Sequence, residues 1–370
     1  MRRMIALNDL ARHHAPLKAE LQAAMARVLA RGWYILGPEV AAFEEEFAAY
    51  AGVAECVAVG NGTDALELAL RAFTIGPGDT VATVANAGMY ATTAIRATGA
   101  VPAYVEIDAS TLQMDPAALA AGLTPRTRAL IVTHLYGRFA NIVRLGQIAR
   151  ERGIALIEDC AQAHGARLGG RMAGTHGALG CFSFYPTKNL GALGDAGAIV
   201  TGDRDLAAKL RALRTYGWGA KYHCMMEGGM NSRMDELQAA VLRAKLPHLD
   251  GWNRRRREIA ARYAATIRHP AITLPPAADE TDVAHLYVVR ARERESLRAH
   301  LAGAGVATDV HYPVPDHRQP GAGEAPAQGL MHTERACAEV LSLPCYPELT
   351  APEIDAVAAA CNRWQPATRS

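Results

Sequence analysis

Short apolar runs alternate with amphipathic stretches through most of the first two-thirds of this chain. The runs Cys56–Val59, Thr80–Val84, Pro102–Ile107, Ala129–Thr133, Ile154–Asp159, Cys181–Tyr185 and Ala198–Thr201 each have strand length and near-continuous apolar character. Between them, helical periodicity marks Thr63–Ala72, Ala91–Thr98 and Ile142–Arg152. Earlier, residues 15–31 read as an amphipathic helix ended by Gly32, and Gly37-Pro38 starts another over Glu39–Ala51. Strand–helix alternation of this kind predicts an α/β fold with a mainly parallel sheet covered by helices on both faces. Right-handed crossovers then gather the carboxyl ends of the strands along one edge, where such sheets bind ligands.

From Asp235 a helical pattern runs to Leu249, and a second covers Asp250 to Ile267. We take this stretch as the bridge to a smaller C-terminal α/β domain, placing the domains at 1–250 and 251–370. In the second domain His285–Val289 and Thr308–Tyr312 read as strands and Pro352–Asn362 as the last helix. Gly321–Gly329, rich in Gly, Ala and Pro, reads as a mobile loop. The length of 370 residues and an apolar half suit two domains with a large core.

Charge and cysteine content narrow the class. The formal net charge is +2, and the densest basic cluster, Arg254–Arg257, lies in a helical pattern where it reads as a solvated face. No nucleic acid and no membrane partner are expected. The seven cysteines are scattered without metal-ligand spacing, so reduced packing thiols and no metal are expected. The N-terminus shows no signal-peptide pattern, and a cytoplasmic location is expected.

Three segments carry chemistry. In Cys181-Phe-Ser-Phe-Tyr-Pro-Thr-Lys188-Asn189, Lys188 follows a strand in a stretch otherwise poor in charge. Burial lowers an amine's pKa and frees its lone pair, which makes Lys188 a candidate Schiff-base nucleophile and proton carrier. Asp159 ends its own strand, where a carboxylate can keep a pyridine nitrogen protonated. Glu158, its neighbour, should face the opposite way. Gln162 is placed to donate to a phenolic oxygen, with His164 beside it. Gly60-Asn-Gly-Thr-Asp64 joins a strand to a helix, so Gly62 and Thr63 offer first-turn N–H groups to a phosphate, with the Ser183 hydroxyl as a further donor. A carbonyl trap, an acid partner and a phosphate cup are what pyridoxal 5′-phosphate (PLP) requires. Each element alone has a plain structural explanation, the helix cap at Thr63 or Asp64 above all.

Assembled, these motifs resemble the DegT-type family of PLP-dependent nucleotide-sugar aminotransferases. The resemblance adds Gly32-Trp-Tyr-Ile-Leu-Gly-Pro38, His134-Leu-Tyr-Gly137, Asn231-Ser-Arg-Met-Asp-Glu-Leu-Gln238, His311-Tyr-Pro-Val-Pro-Asp-His-Arg-Gln-Pro320 and Leu341–Pro347. It implies the fold type I aminotransferase architecture, with a mainly parallel seven-stranded-type sheet in a large PLP-binding domain. It also implies roles. Lys188 and Asp159 are the catalytic pair, and Gly62, Thr63, Gln162, Ser183 and Asn231 bind the cofactor, Asn231 from the neighbouring subunit of a homodimer. Tyr34, His311, Tyr312 and His317 line the nucleotide-sugar site. The family's ring-stacking aromatic falls by count on Gly88, which leaves Tyr90 or Met89 to take its place.

The implied reaction moves an amino group from L-glutamate to a keto carbon of a nucleotide-linked deoxysugar, with a dTDP-linked 3-keto-6-deoxyhexose as the single best expectation. Relatives that remove a sugar hydroxyl carry histidine in place of the lysine; Lys188 is present here. A keto-cyclitol aminotransferase and a non-catalytic ligand-binding relative are the alternatives. An NAD-dependent oxidoreductase needs a Gly-rich fingerprint that the first strand–helix turn does not supply.

Overall fold

The computed structural model describes residues 4–323 and 329–366. Its central sheet is built from β1 (Glu55–Val59), β2 (Thr80–Val84), β3 (Val101–Val105), β4 (Thr127–Thr133), β5 (Ala155–Asp159), β6 (Leu179–Ser183) and β7 (Gly197–Thr201). The spatial order is β1-β7-β6-β5-β4-β2-β3. β7 runs antiparallel to both of its neighbours, and all other pairings are parallel. All seven expected runs are therefore strands of one sheet.

Two-residue alternation splits each strand between two apolar layers. Val57, Val59, Ala129, Ile131, Ile157 and Ile199 face one layer. There they meet helices α3 (Gly62–Ala72), α4 (Tyr90–Ala97) and, further along the chain, α6 (Arg204–Leu213). Cys56, Ala58, Leu130, Val132, Phe182 and Val200 face the other, against α2 (Pro38–Ala51) and α5 (Ile142–Arg152). The preceding helix α1 (Lys18–Arg31) packs on α7 (Glu236–Lys245). Glu236 is buried at the start of α7 and accepts the N–H groups of Gly37, Glu39 and Val40 at 2.8–2.9 Å, so a carboxylate from one helix caps another.

Beyond α7 the long helix α8 (Leu249–Thr266) leads into a smaller sheet, in which β8 (Tyr287–Arg290) pairs antiparallel with β9 (Val340–Leu343). Helices α9 (Arg294–Gly303), α10 (Met331–Glu339) and α11 (Ala351–Arg363) complete this part. Two expectations change here. Thr308–Tyr312 is not a strand; it touches the sheet through one bridge, Asp309 to Ser342. The Arg254–Arg257 cluster is not wholly solvated, because Asn253, Arg256, Ile259, Ala260 and Tyr263 form the buried face of α8. The expected mobile loop Gly321–Gly329 falls in part on residues 324–328, which lie outside the described residues. No helix among the described residues is long and apolar enough to cross a membrane.

Candidate active site

Because every strand except β7 points the same way, the ends of β1, β2, β4, β5 and β6 lie along one edge. A cavity of about 760 Å³ opens there. It is lined by Gly62 and Thr63 after β1, Tyr90 after β2, Asp159 at the end of β5 and Gln162 beyond it, and Ser183 at the end of β6 and Lys188 beyond it. His311 and Tyr312 enter from the C-terminal part. Residues more than two hundred positions apart thus share one chamber.

The phosphate end is shaped by a close approach of helix and strand. A methyl group on Gly62 would lie 2.6 Å from Cβ of Ser183, so only glycine lets α3 start this near β6. The side chain of Asn61 accepts the N–H of Asp64 at 2.9 Å, which caps the helix. The N–H groups of Gly62 and Thr63 belong to the first turn, where intrahelical partners are lacking. Ser232 ties the same corner together: its hydroxyl accepts Gly60 N–H at 2.9 Å and donates to Asp64 at 2.7 Å.

Lys188 is half-buried on the cavity wall, and desolvation brings its amine down to about 8 despite the opposing pull of Asp159. Asp159 accepts the N–H of Ala161 at 3.1 Å and the Thr133 hydroxyl at 3.2 Å. Burial pushes its carboxyl up, against those two bonds and the Lys188 charge. A cationic ring nitrogen is the kind of partner that would offset this burial. Gln162 accepts the N–H of Tyr136 through its oxygen at 2.6 Å, which leaves its NH₂ facing the Tyr312 hydroxyl at 3.2 Å. A half-buried amine, a buried carboxylate, an amide donor and a helix N-terminus around one cavity fit PLP in donor type at every position.

Glu158 points away from the cavity, as its alternation with Asp159 requires. It accepts N–H groups from Gly174, His176 and Gly177 at 2.6–2.9 Å and meets Nε2 of His134 at 2.9 Å. Nδ1 of His134 accepts the N–H of Ala140 at 3.1 Å, so Nε2 carries the proton. Glu158, His134 and Cys160 lie close enough to suggest a metal trio, but these bonds already occupy the carboxylate and both ring nitrogens.

Several expected residues lie elsewhere. His317 is turned to Glu334 at 3.0 Å and packs near Tyr104, outside the cavity. Tyr34 and Asn231 are exposed; Asn231 accepts from Arg233 at 2.8 Å. His164 sits between Phe182 and Phe184 behind the cavity, with both ring nitrogens unpartnered. Tyr90 lines the cavity, and its ring stands edge-on to that of Tyr312 at 6.1 Å. Position 88 has no room for an aromatic side chain, since a methyl group there would lie 2.8 Å from the Tyr312 ring.

The sequence reading missed Tyr185, Arg256 and His285, which also line the cavity. His285 donates from Nδ1 to Asn189, whose NH₂ is committed to Asn253 at 2.9 Å and Val283 at 3.1 Å. Arg256 donates to the carbonyls of His285 and Cys345. The i, i+3 spacing of Asn253 and Arg256 ahead of Ile259 was the available signal for a buried polar face.

Residues 16–362 match the DegT/DnrJ/EryC1/StrS aminotransferase family. The chain belongs to that family. It is 48% identical over 360 residues to dTDP-3-amino-3,4,6-trideoxy-alpha-D-glucose transaminase of Streptomyces venezuelae, covering 96% of this chain and 95% of the relative. It is 46% identical over 362 residues to dTDP-3-amino-3,6-dideoxy-alpha-D-galactopyranose transaminase of Aneurinibacillus thermoaerophilus, covering 98% and 99%. Among solved structures, S. venezuelae DesV superposes with a TM-score of 0.95 at 46% identity, covering 98% of each chain. The fold is that of the type I aminotransferases, and PLP is the cofactor of this family member.

Proposed function

We propose that this family member transfers an amino group from L-glutamate to the keto carbon of a dTDP-linked 3-keto-6-deoxyhexose. The supporting observation is the facing pair Lys188 and Asp159, beside Gly62, Thr63 and Ser183, in a chain whose relatives are named as dTDP-3-amino-sugar transaminases. PLP, when bound, supplies an electrophilic carbonyl carbon and an electron-withdrawing ring.

The chain's own residues do the rest. Gly62 and Thr63 N–H groups and the Ser183 hydroxyl hold the phosphate. Asp159 keeps the ring nitrogen protonated, and Gln162 donates to the phenolic oxygen. Lys188 would anchor the cofactor, and its amine would carry the proton to and from the substrate carbon. An amine brought to about 8 is well matched to that task near neutral pH. His311 and Tyr312 contact the sugar. Tyr34, Asn231 and His317 act through a different surface: Tyr34 and Asn231 complete the partner's site in a homodimer, and His317 supports the sugar segment from behind. Residues 1–250 form the large domain and 251–370 the small one, in a cytoplasmic enzyme.

Absorbance of the purified protein tests the chemistry. A near-visible band in the holoenzyme should be lost or shifted in Lys188→Ala, and L-glutamate should convert it in the wild type. Absence of any such band after PLP is supplied would contradict the reading.

A further inference from the structure

Asp316 is buried, with 1% of its surface exposed, at the start of a short 3-10 helix, Asp316–Arg318, that follows Pro315. Its Oδ1 accepts the N–H of Met89 at 2.9 Å, and its Oδ2 accepts the hydroxyl of Thr92 at 2.7 Å. Gly88 and Met89 both adopt left-handed backbone, with φ of 79° and 71°. This turn leads into α4, whose first N–H groups have no partner within the helix. The carboxylate of a residue far along the chain binds there, at Met89 N–H and the Thr92 hydroxyl. Asp316 also donates its own N–H to the carbonyl of Ala85 at 2.7 Å, so both its main chain and its side chain are fastened to the same turn.

The fastened parts carry cavity walls. Tyr90 follows this turn directly, and Tyr312 precedes Asp316 on its own segment. Gly88 touches the Tyr312 ring, where even one methyl group would be too close. His311 is held in turn by the Tyr136 hydroxyl on its carbonyl and by Ser342 on Nδ1 at 2.8 Å.

We propose that Asp316 is a positioning residue for the amination site, clamping the 311–320 segment to the 85–92 turn so that Tyr312 and Tyr90 hold their places over the cavity. This rests on the reading of that cavity as the sugar-amination site. Asp316 does not reach the reacting atoms; it acts through the two tyrosines. The groups packed around it are Thr92 and Tyr104 behind the 85–92 turn, with Arg96 near Tyr104; His317 lies on its own segment and Cys337 on α10. Burial brings the carboxyl up to about 6, so the clamp is fully ionised only above that pH.

The test uses the PLP-loaded wild type, Asp316→Asn and Thr92→Val, with hydrogen–deuterium exchange and steady-state kinetics on a dTDP-linked 3-keto-6-deoxyhexose. Asparagine places an N–H donor against a donor. Exchange should rise together in peptides 85–92 and 311–320 and stay unchanged in 155–165 and 181–190. KM should rise by about tenfold, with a smaller change in kcat, as expected for a lost buried bond to a charged group that orients substrate. Wild-type KM should also rise as pH falls through about 6, and this step should be absent in Asp316→Asn. Thr92→Val removes one donor without changing charge and should show a smaller effect of the same sign, which keeps the test decisive if Asp316→Asn folds poorly. Unchanged exchange and KM in a folded, PLP-bound variant would overturn the proposal. A wild type inactive on the sugar, with the exchange changes still present, would instead count against the substrate reading.

Discussion

Nζ of Lys245 donates to the carbonyl of Gly191 at 2.6 Å from a fully buried position behind the loop that carries Lys188. Nε2 of His14 lies 2.9 Å away on the other side and takes a second hydrogen. An N-terminal helix, α7 and the lysine loop therefore meet at one ammonium group. Burial holds Lys245 down to about 8, against an ordinary value of 10.5. Between those values the unfolded chain binds more protons than the native state, so this residue makes the fold more stable as pH rises across that window. Urea unfolding midpoints of wild type and Lys245→Met, compared across it, should diverge, with the rise missing in the variant. Parallel curves would contradict the assignment.

Glu158 is the buried acid that the cavity does not use. It gathers three backbone N–H groups and His134, and these hold its pKa low in spite of burial. Glu158→Gln sets an amide donor against at least one of those donors and should cost about 2–4 kcal/mol. The stability that the carboxylate contributes is present above the unfolded value of 4.5 and is lost as pH falls through its lower folded value. Acid unfolding of the wild type should therefore be steeper than that of the variant. A chemical-denaturation difference under about 0.5 kcal/mol would be too small for a breached buried network.

Gly62 tests the phosphate cup without touching a charged group. Gly62→Ala puts a methyl group into Ser183 and must push α3 and β6 apart, at a cost of about 1–3 kcal/mol. PLP affinity, measured by equilibrium dialysis, should fall by about tenfold or more as the first-turn donors move. Gly122→Ala, where nothing lies within 4 Å, serves as the control and should bind PLP normally.

The central sheet was legible because its strands are short, apolar and separated by helical periods, so the pattern specifies both element and layer. Asp159 and Lys188 were legible for the same reason: Asp159 ends one strand and Lys188 follows another, and those strand ends define the edge. The C-terminal part was less so. Val340–Leu343 pairs with β8 in four residues, too short a run to stand out, whereas Thr308–Tyr312 has strand-like composition but pairs only at Asp309. Arg256 was hidden in a run of four arginines, of which its helical phase selects it for burial. Asp316 gave no local signal, because the helix start that receives it lies more than two hundred residues earlier. Tyr34 and Asn231 are exposed in this chain, and the role proposed for Asn231 is in another subunit's site.

The central claim is that Lys188 chemistry serves a nucleotide-linked keto sugar. The most direct measurement is a single turnover: protein loaded with the amine form of the cofactor, mixed with a dTDP-linked 3-keto-6-deoxyhexose, followed by absorbance and product mass. We expect the amine-form band to convert to the Lys188-bound form, with one equivalent of 3-amino sugar nucleotide. A band that responds to L-glutamate in the reverse direction but never to the keto sugar would contradict the account and favour another amino acceptor.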